Sequence, residues 1–284
     1  MIIRFLFLLL SFFSDNVCQQ TEHFCVLDRS IPHYFLTDKK ALNLFDADFF
    51  ASTRFKPLLF GLLQGIHPYQ ILLQDNTSDH PYLMIKTTAS YVYLVGKPSL
   101  QNLEQINNVL SCYKNIVLIC DESVQAYFLQ RGFYVRPRIE FVYNTHFEYS
   151  PPALPEGFSV KTLDKVLFEQ SPWFGFISAI YGSTERFLTH GIGYGLVNDQ
   201  GVCVAQAYGA MMSEKLCEIG VVTHPDYRGN GYILHPAQAL IDECLRRNIT
   251  PIWSCDSTNT ASLKTALKLG FTVAHHYAFI KKDA

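Results

Sequence analysis

The chain has 284 residues, 49% of them hydrophobic and 17% charged, with a formal net charge of −2. That composition excludes a disordered chain and offers no global basic surplus for nucleic acid or an acidic membrane. The length exceeds what one small domain needs and sets two domains as the expectation.

The N-terminus, "MIIRFLFLLLSFF", has one Arg and then a dense apolar run. The run is too short to span a bilayer but has the shape of a signal-peptide core. Segment 1–17 is therefore signal-like, and a membrane is expected as a partner only if this segment anchors the chain. Strand-like runs follow at "YQILLQD", "YLMIKTT", "YVYLVG" and "NIVLIC". Between the last two, Leu100, Leu103, Ile106 and Leu110 recur at helical spacing in "SLQNLEQINNVLSCY". This is an α/β pattern without a chemical motif. "YSPPALPEG", Tyr149 to Gly157, carries three prolines and reads as an extended linker. The expected division is an N-terminal α/β domain over 1–148, a linker over 149–157 and a second domain over 158–284.

The second half starts with a strand over 158–163 and helical material through "VLFEQSPWFGFISAIYGSTERFLTHG". Strands come next at "GYGLVND", "VCVAQAYGAM" and "LCEIGVVT". A glycine-rich turn leads into a helix whose Ile233, Ala237, Leu240, Ile241, Cys244 and Leu245 form one apolar stripe. After it come a strand "PIWSCD", a helix "NTASLKTALKLG" and a last strand "FTVAHHYAFIKK". Asn259 suits the N-cap of that last helix and Gly270 its end. The whole describes a mixed sheet with helices on its faces.

Eight cysteines are present and none forms a CxxC pair. Most sit in apolar runs, as buried free thiols of a reducing compartment do, so a cytoplasmic location is expected. No His/Cys cluster has zinc-ligand spacing, and no metal is expected. Ser183, Cys255, His275 and His276 lack the spacing of a catalytic triad and read as structural.

The turn "THPDYRGNGY" is the part that asks for a ligand. A glycine loop opening a helix presents free backbone N–H groups and the positive end of the helix dipole, which suits a phosphate. The order of elements, with Arg228, Gly229 and Gly231 in this turn and Asn259 leading a helix that ends Leu269-Gly270-Phe271, resembles the GNAT superfamily of acyl-CoA-dependent N-acyltransferases. Trp173, Phe176, Tyr181-Gly182-Ser183, Glu185, Phe187-Leu188 and Gly191 to Gly195 resemble a branch of it with an extra N-terminal domain. The implied architecture is α/β: a mixed-sheet GNAT fold in the C-terminal half plus an additional N-terminal α/β domain.

The resemblance implies acetyl-CoA as acyl donor and an amine of a small molecule as acceptor. Arg228, Gly229, Asn230, Gly231, Tyr232 and Ile233 would cradle the pyrophosphate. Val221, Val222 and Thr223 would pair with the pantetheine arm, and Asn259 joins the cofactor side. Glu218, flanked by apolar residues and matching a carboxylate position common in the family, is the candidate base. A main-chain N–H near Val222 would serve the thioester oxygen if that strand bulges. Three departures stand out. Ile233 replaces a small residue and is expected to crowd the turn. Pro236 removes an N–H near the helix start. Ala266 occupies the place of a Tyr that acts as acid in many members, with Ser254, Cys255 and Tyr277 as substitutes by proximity. Two alternatives remain open: a glycine-N-acyltransferase-like enzyme using larger acyl-CoAs, and a GNAT fold that binds acyl-CoA without catalysis.

Overall fold

A computed structural model describes residue 45, residues 48–50, 53–149 and 151–283. The signal-like segment 1–17, with Cys18 and Cys25, lies outside the described residues. A short 3₁₀ turn, Asp48–Phe50, precedes α1 (Lys56–Leu63), β1 (Tyr69–Asp75), β2 (Tyr82–Thr87), β3 (Tyr91–Gly96), α2 (Leu100–Leu110), β4 (Ile116–Cys120), α3 (Glu122–Leu129) and β5 (Tyr134–Tyr143). Then come β6 (Ser159–Thr162), α4 (Lys165–Glu169), α5 (Phe174–Tyr181), α6 (Thr184–His190), β7 (Gly193–Val197), β8 (Cys203–Met212) and β9 (Leu216–Thr223). A 3₁₀ turn, Pro225–Tyr227, leads to α7 (Leu234–Arg246), β10 (Thr250–Asp256), α8 (Thr260–Lys268) and β11 (Phe271–Lys282).

All eleven strands join one mixed sheet in the order β1-β2-β3-β4-β11-β5-β10-β9-β8-β7-β6. A repeat is visible in it. The stretch β1-β2-β3-α2-β4-α3-β5 has the same order and strand directions as β7-β8-β9-α7-β10-α8-β11. In each, three antiparallel strands are followed by a helix, a strand parallel to the third, a second helix and a final strand. The final strands are exchanged. β5 pairs with β10 and β11 pairs with β4, while β5 and β11 pair with each other along the centre of the sheet. The segment expected to divide the chain runs along the surface, exposed from Pro151 to Leu154, and the sheet continues across the two halves that it joins.

Strand alternation sends one set of side chains to each face. One face carries a core shared by both halves, with Phe55, Leu58, Leu59 and Tyr93 against Phe168, Tyr181, Phe187 and Tyr208. The opposite face carries two smaller cores, one beneath α2 and α3 and one beneath α7 and α8. In α2 the buried residues are Leu103, Ile106 and Leu110. Leu100 is 66% exposed, because as the first helical residue it lies on the capping turn rather than over the sheet. The α7 stripe buries Ala237, Leu240, Ile241 and Cys244, and Leu245 turns outward at its edge.

The strand β5, "YVRPRIEFVY", carries no clean period-2 apolar signal and has Pro137 in its middle, which argues against a central strand. It is nonetheless the sixth of the eleven described strands, at the centre of the sheet. The physical reason is the end of the β10 ladder at Asp256–Arg138. The Pro137 carbonyl accepts from Ser257 N on the β10 side. The N–H that proline lacks would also point to that side, beyond the last ladder pair, so no ladder bond is lost.

Candidate active site

β9 and β10 are parallel but pair only through Thr250–Leu216, Pro251–Cys217 and Ile252–Glu218. Past Glu218 each strand keeps its outer partner, β8 as far as Thr223 and β5 as far as Asp256. The inner edges, including Val221, Val222 and Thr223, are therefore left without a strand partner among the described residues. An extended amide chain can pair there as an added strand.

β9 runs directly into the glycine turn. Gly229 and Gly231 have φ of 83° and 73°, a region open to glycine at no steric cost. The N–H groups of residues 229 to 233 donate to no group among the described residues, whereas Leu234 N and His235 N are used by Gly231 O and Tyr232 O at 3.0 and 3.4 Å. A run of free, adjacent N–H groups at the head of a 13-residue helix is a concentrated site for negative charge. A Cβ added at Gly229 would meet nothing within 4 Å, so the approach is open. Ile233 does not crowd the turn as expected. It has helical φ and ψ, and its side chain packs against the cores beneath α7 and beside β7. Pro236 is the third helical residue, where its missing N–H has no helical carbonyl to serve. Arg228 Nε donates to Thr223 O at 3.2 Å and braces the turn against the end of β9. Tyr232 packs at a tilt against Phe158 and Tyr227, which pins the turn to the first strands of this half. The free N–H groups and the unpaired β9 edge fit the pyrophosphate and pantetheine of a CoA thioester.

Glu218 lies where the two strands stop pairing and is 6% exposed. Its Oε1 accepts from Ser254 Oγ at 2.6 Å. Ser254 Oγ in turn accepts from Arg138 Nη2 at 2.5 Å, and Arg138 Nη2 stands 3.9 Å from Glu218 Oε1. Burial pushes the Glu218 carboxyl up to about 7, with Arg138 and the Ser254 hydrogen bond pulling it down and Glu140 pushing it further up. A carboxyl poised there can exchange protons with an amine near neutral pH. Tyr91 lies beside this cluster and contacts Phe176, which contacts Trp173, 48% exposed, so the 165–195 segment supplies an aromatic wall.

Asn259 caps α8, its Oδ1 accepting from Ser262 N at 3.1 Å. Ser183 caps α6 in the same way. Ala266 is fully buried under α8 and offers no group to the cleft. Of its proposed substitutes, Ser254 is engaged with Glu218, Cys255 turns to the opposite face and its core, and Tyr277 lies near Arg138. Burial drives the Tyr277 hydroxyl far above the usual tyrosine range, which makes it a reluctant acid. The expected bulge at Val222 is absent: Val221, Val222 and Thr223 pair in unbroken register with β8. The shift falls instead on β8, between Gly209 and Met211, where the partner strand absorbs the extra residue. The sequence reading passed over Arg138 and Glu140 altogether. The only signal for them was the alternation Arg136, Arg138, Glu140 in a run otherwise fit for a strand.

A family model for GNAT acetyltransferases matches residues 54–280. The chain belongs to the GNAT acetyltransferase family. It is 27% identical over 139 residues to YdfB of Bacillus subtilis (strain 168), an uncharacterized N-acetyltransferase, an overlap of 46% of this chain and 53% of that one. The chain thus spans about half the length of that relative. Among solved structures, a GCN5-related N-acetyltransferase-like protein from Streptococcus suis superposes with a TM-score of 0.65 at 24% identity, over 86% of this chain and 97% of the other. A tandem GNAT protein from the clavulanic acid biosynthesis pathway gives 0.58 at 12% identity, over 85% and 93%. Both likenesses are of fold. Among the described residues, no helix is long and apolar enough to cross a membrane and no group of side chains is placed to hold a metal ion.

Proposed function

We propose that the protein transfers an acetyl group from acetyl-CoA to an amine of a small molecule, with Glu218 as the base. One observation carries this reading. The β9–β10 ladder ends beside a buried carboxyl, and the strand edge freed there leads straight to the run of unpaired N–H groups at residues 229 to 233. Acetyl-CoA supplies the activated acyl group. Val221 to Thr223 hold its arm by main-chain hydrogen bonds, and Gly229 to Ile233 hold its pyrophosphate, with Arg228 bracing the turn. Asn259 acts on the cofactor side only through α8, which it caps.

An ammonium is not a nucleophile, so the acceptor must lose a proton first. Glu218 takes it directly or through one water, a step that contributes roughly 10²–10⁴-fold in such reactions. Residues 158–284 carry the donor site, and the N-terminal half completes the acceptor side through β5, which brings Arg138 to Glu218. No acid is assigned to the departing thiol.

The test is thermal. Acetyl-CoA binds only the native state and should raise the melting temperature. Turnover of a panel of small amines, followed by thiol release, should then identify acceptors. No shift and no turnover would sink the reading. A shift of equal size with long-chain acyl-CoAs, and faster turnover with them, would favour a larger donor.

A further inference from the structure

Three polar side-chain atoms near the centre of the sheet are shielded from solvent and have no hydrogen-bond partner among the described residues: Glu218 Oε2, Arg138 Nε and the Tyr277 hydroxyl. They belong to one cluster. Arg138 and Tyr277 are directly opposite each other on β5 and β11, and Arg138 reaches Glu218 both across 3.9 Å and through Ser254. The Tyr277 hydroxyl lies beside Arg138 and Ser254 without a hydrogen bond of good geometry to either. A buried polar atom left unpaired costs about 1–3 kcal/mol, so three in one place call for a shared partner.

Their chemistry specifies that partner. Glu218 Oε2 needs an N–H donor, Arg138 Nε needs an acceptor, and a tyrosine hydroxyl can donate to an anion beside it. A molecule that carries an amine and an anionic group on adjacent carbons or on one carbon satisfies all three at once. We propose that the acceptor is such an amine, of the α-amino acid type, with its nitrogen at Glu218 and its carboxylate at Arg138 and Tyr277. The assignment rests on the reading of Glu218 as the base.

Charge supports it independently. Glu218 stands 3.9 Å from Arg138, so the cluster presents one carboxylate and one guanidinium side by side. A zwitterion gains from both members of the pair. The arginine comes from the other half because β5 is the strand next to β10 on the side away from β9.

The test compares each of the common α-amino acids with its C-terminal amide, using the full chain. The amide keeps amine and side chain and loses the anion. Its amine is also less basic, so a preference for the acid cannot come from a larger supply of free amine. Binding is read from the melting temperature in the presence of CoA, and turnover from thiol release with acetyl-CoA. At least one amino acid should bind and be acetylated with a kcat/KM at least ten-fold above its amide. Arg138→Met should bring the two within about two-fold while the melting shift given by acetyl-CoA persists. Tyr277→Phe, a milder change, should reduce the preference part of the way and serves if Arg138→Met does not fold. Equal use of acid and amide by the wild type, a preference that survives both substitutions, or no binding by any amino acid would overturn the proposal. Carboxylate-dependent binding without acetylation would overturn the amino acid as acceptor, while the acetyl-CoA melting shift would still support the donor site.

Discussion

In both halves of the molecule the third strand of a meander runs into a helix, β3 into α2 and β9 into α7. The connections differ. Ser99 begins α2 with a capping box: its Oγ accepts from Asn102 N at 3.2 Å, and Asn102 Oδ1 accepts from Ser99 N at 2.9 Å. That helix start is closed by its own side chains. α7 has no side-chain cap, and ten residues of turn precede it, with the N–H groups of 229 to 233 left free. The ends of β3 and β4 also border a cleft of about 690 Å³, but Asp48, Asp79, Asp121 and Glu122 outnumber Arg54 and Lys97 around it. A polyphosphate is disfavoured there. The same module thus occurs twice, and only the copy that leaves its helix donors unsatisfied is fit to hold an anion.

The comparison breaks most sharply if one half can live without the other. Residues 158–284 expressed alone would leave β10 and β11 without β5, which lies between them. Such a fragment should show no cooperative unfolding transition in denaturant. A fragment that folds and binds acetyl-CoA would mean that the shared core and exchanged strands are dispensable.

The next effect concerns the chemistry of the C-terminal half. Glu218→Gln cannot take a proton and should lower kcat/KM by roughly 10²-fold or more near neutral pH. The wild-type profile should rise through a pH of about 7, where the buried carboxyl ionises. The variant should lack that limb and approach wild type at high pH, where the amine is already free. Parallel profiles on one acceptor would demote Glu218 to an orienting role.

His67 ties the halves together. It is fully buried, its Nε2 is 2.9 Å from Met212 O and 3.0 Å from Met212 N, and its ring packs on Tyr181. Burial depresses its imidazole to about 4. The unfolded chain, with an ordinary histidine near 6.5, then binds the proton more readily than the folded one. The stability held by the neutral ring is complete above about 6.5 and is lost as the pH falls toward 4, by about 3 kcal/mol at most. Denaturant melts at several pH values should show this slope in wild type and a flatter one in His67→Gln. Equal slopes would mean that the ring does not hold the seam.

The smallest pair of effects sharpens the contrast between the two helix starts. Gly231→Asp sets a carboxylate among the free N–H groups and should remove the acetyl-CoA melting shift, a loss of about 2.7 kcal/mol at a ligand concentration of 100 Kd. Ser99→Ala opens the other helix start and should cost about 1 kcal/mol of stability while leaving that shift intact. The reverse outcome, with Ser99→Ala altering the shift and Gly231→Asp not, would place the donor in the wrong half.

Much of this was legible in the chain. The glycine turn, the flanking strands, the Asn-capped helix and the carboxylate of β9 are local features. Each follows from residue type and spacing over a few residues, because backbone freedom, capping and alternation act at short range. The family resemblance rests on those same local signals. What the sequence did not reveal is long-range. The duplication left no visible sequence repeat, since a module is kept by apolar alternation rather than by identity. β5 was missed because proline and charged residues hide a strand whose place is set by the ladders on either side. Arg138 reaches Glu218 only through the exchange of strands across the sheet centre. Residues eighty positions apart become neighbours by the pairing of β5 with β10, and that pairing is decided by which edges remain free once both meanders have formed.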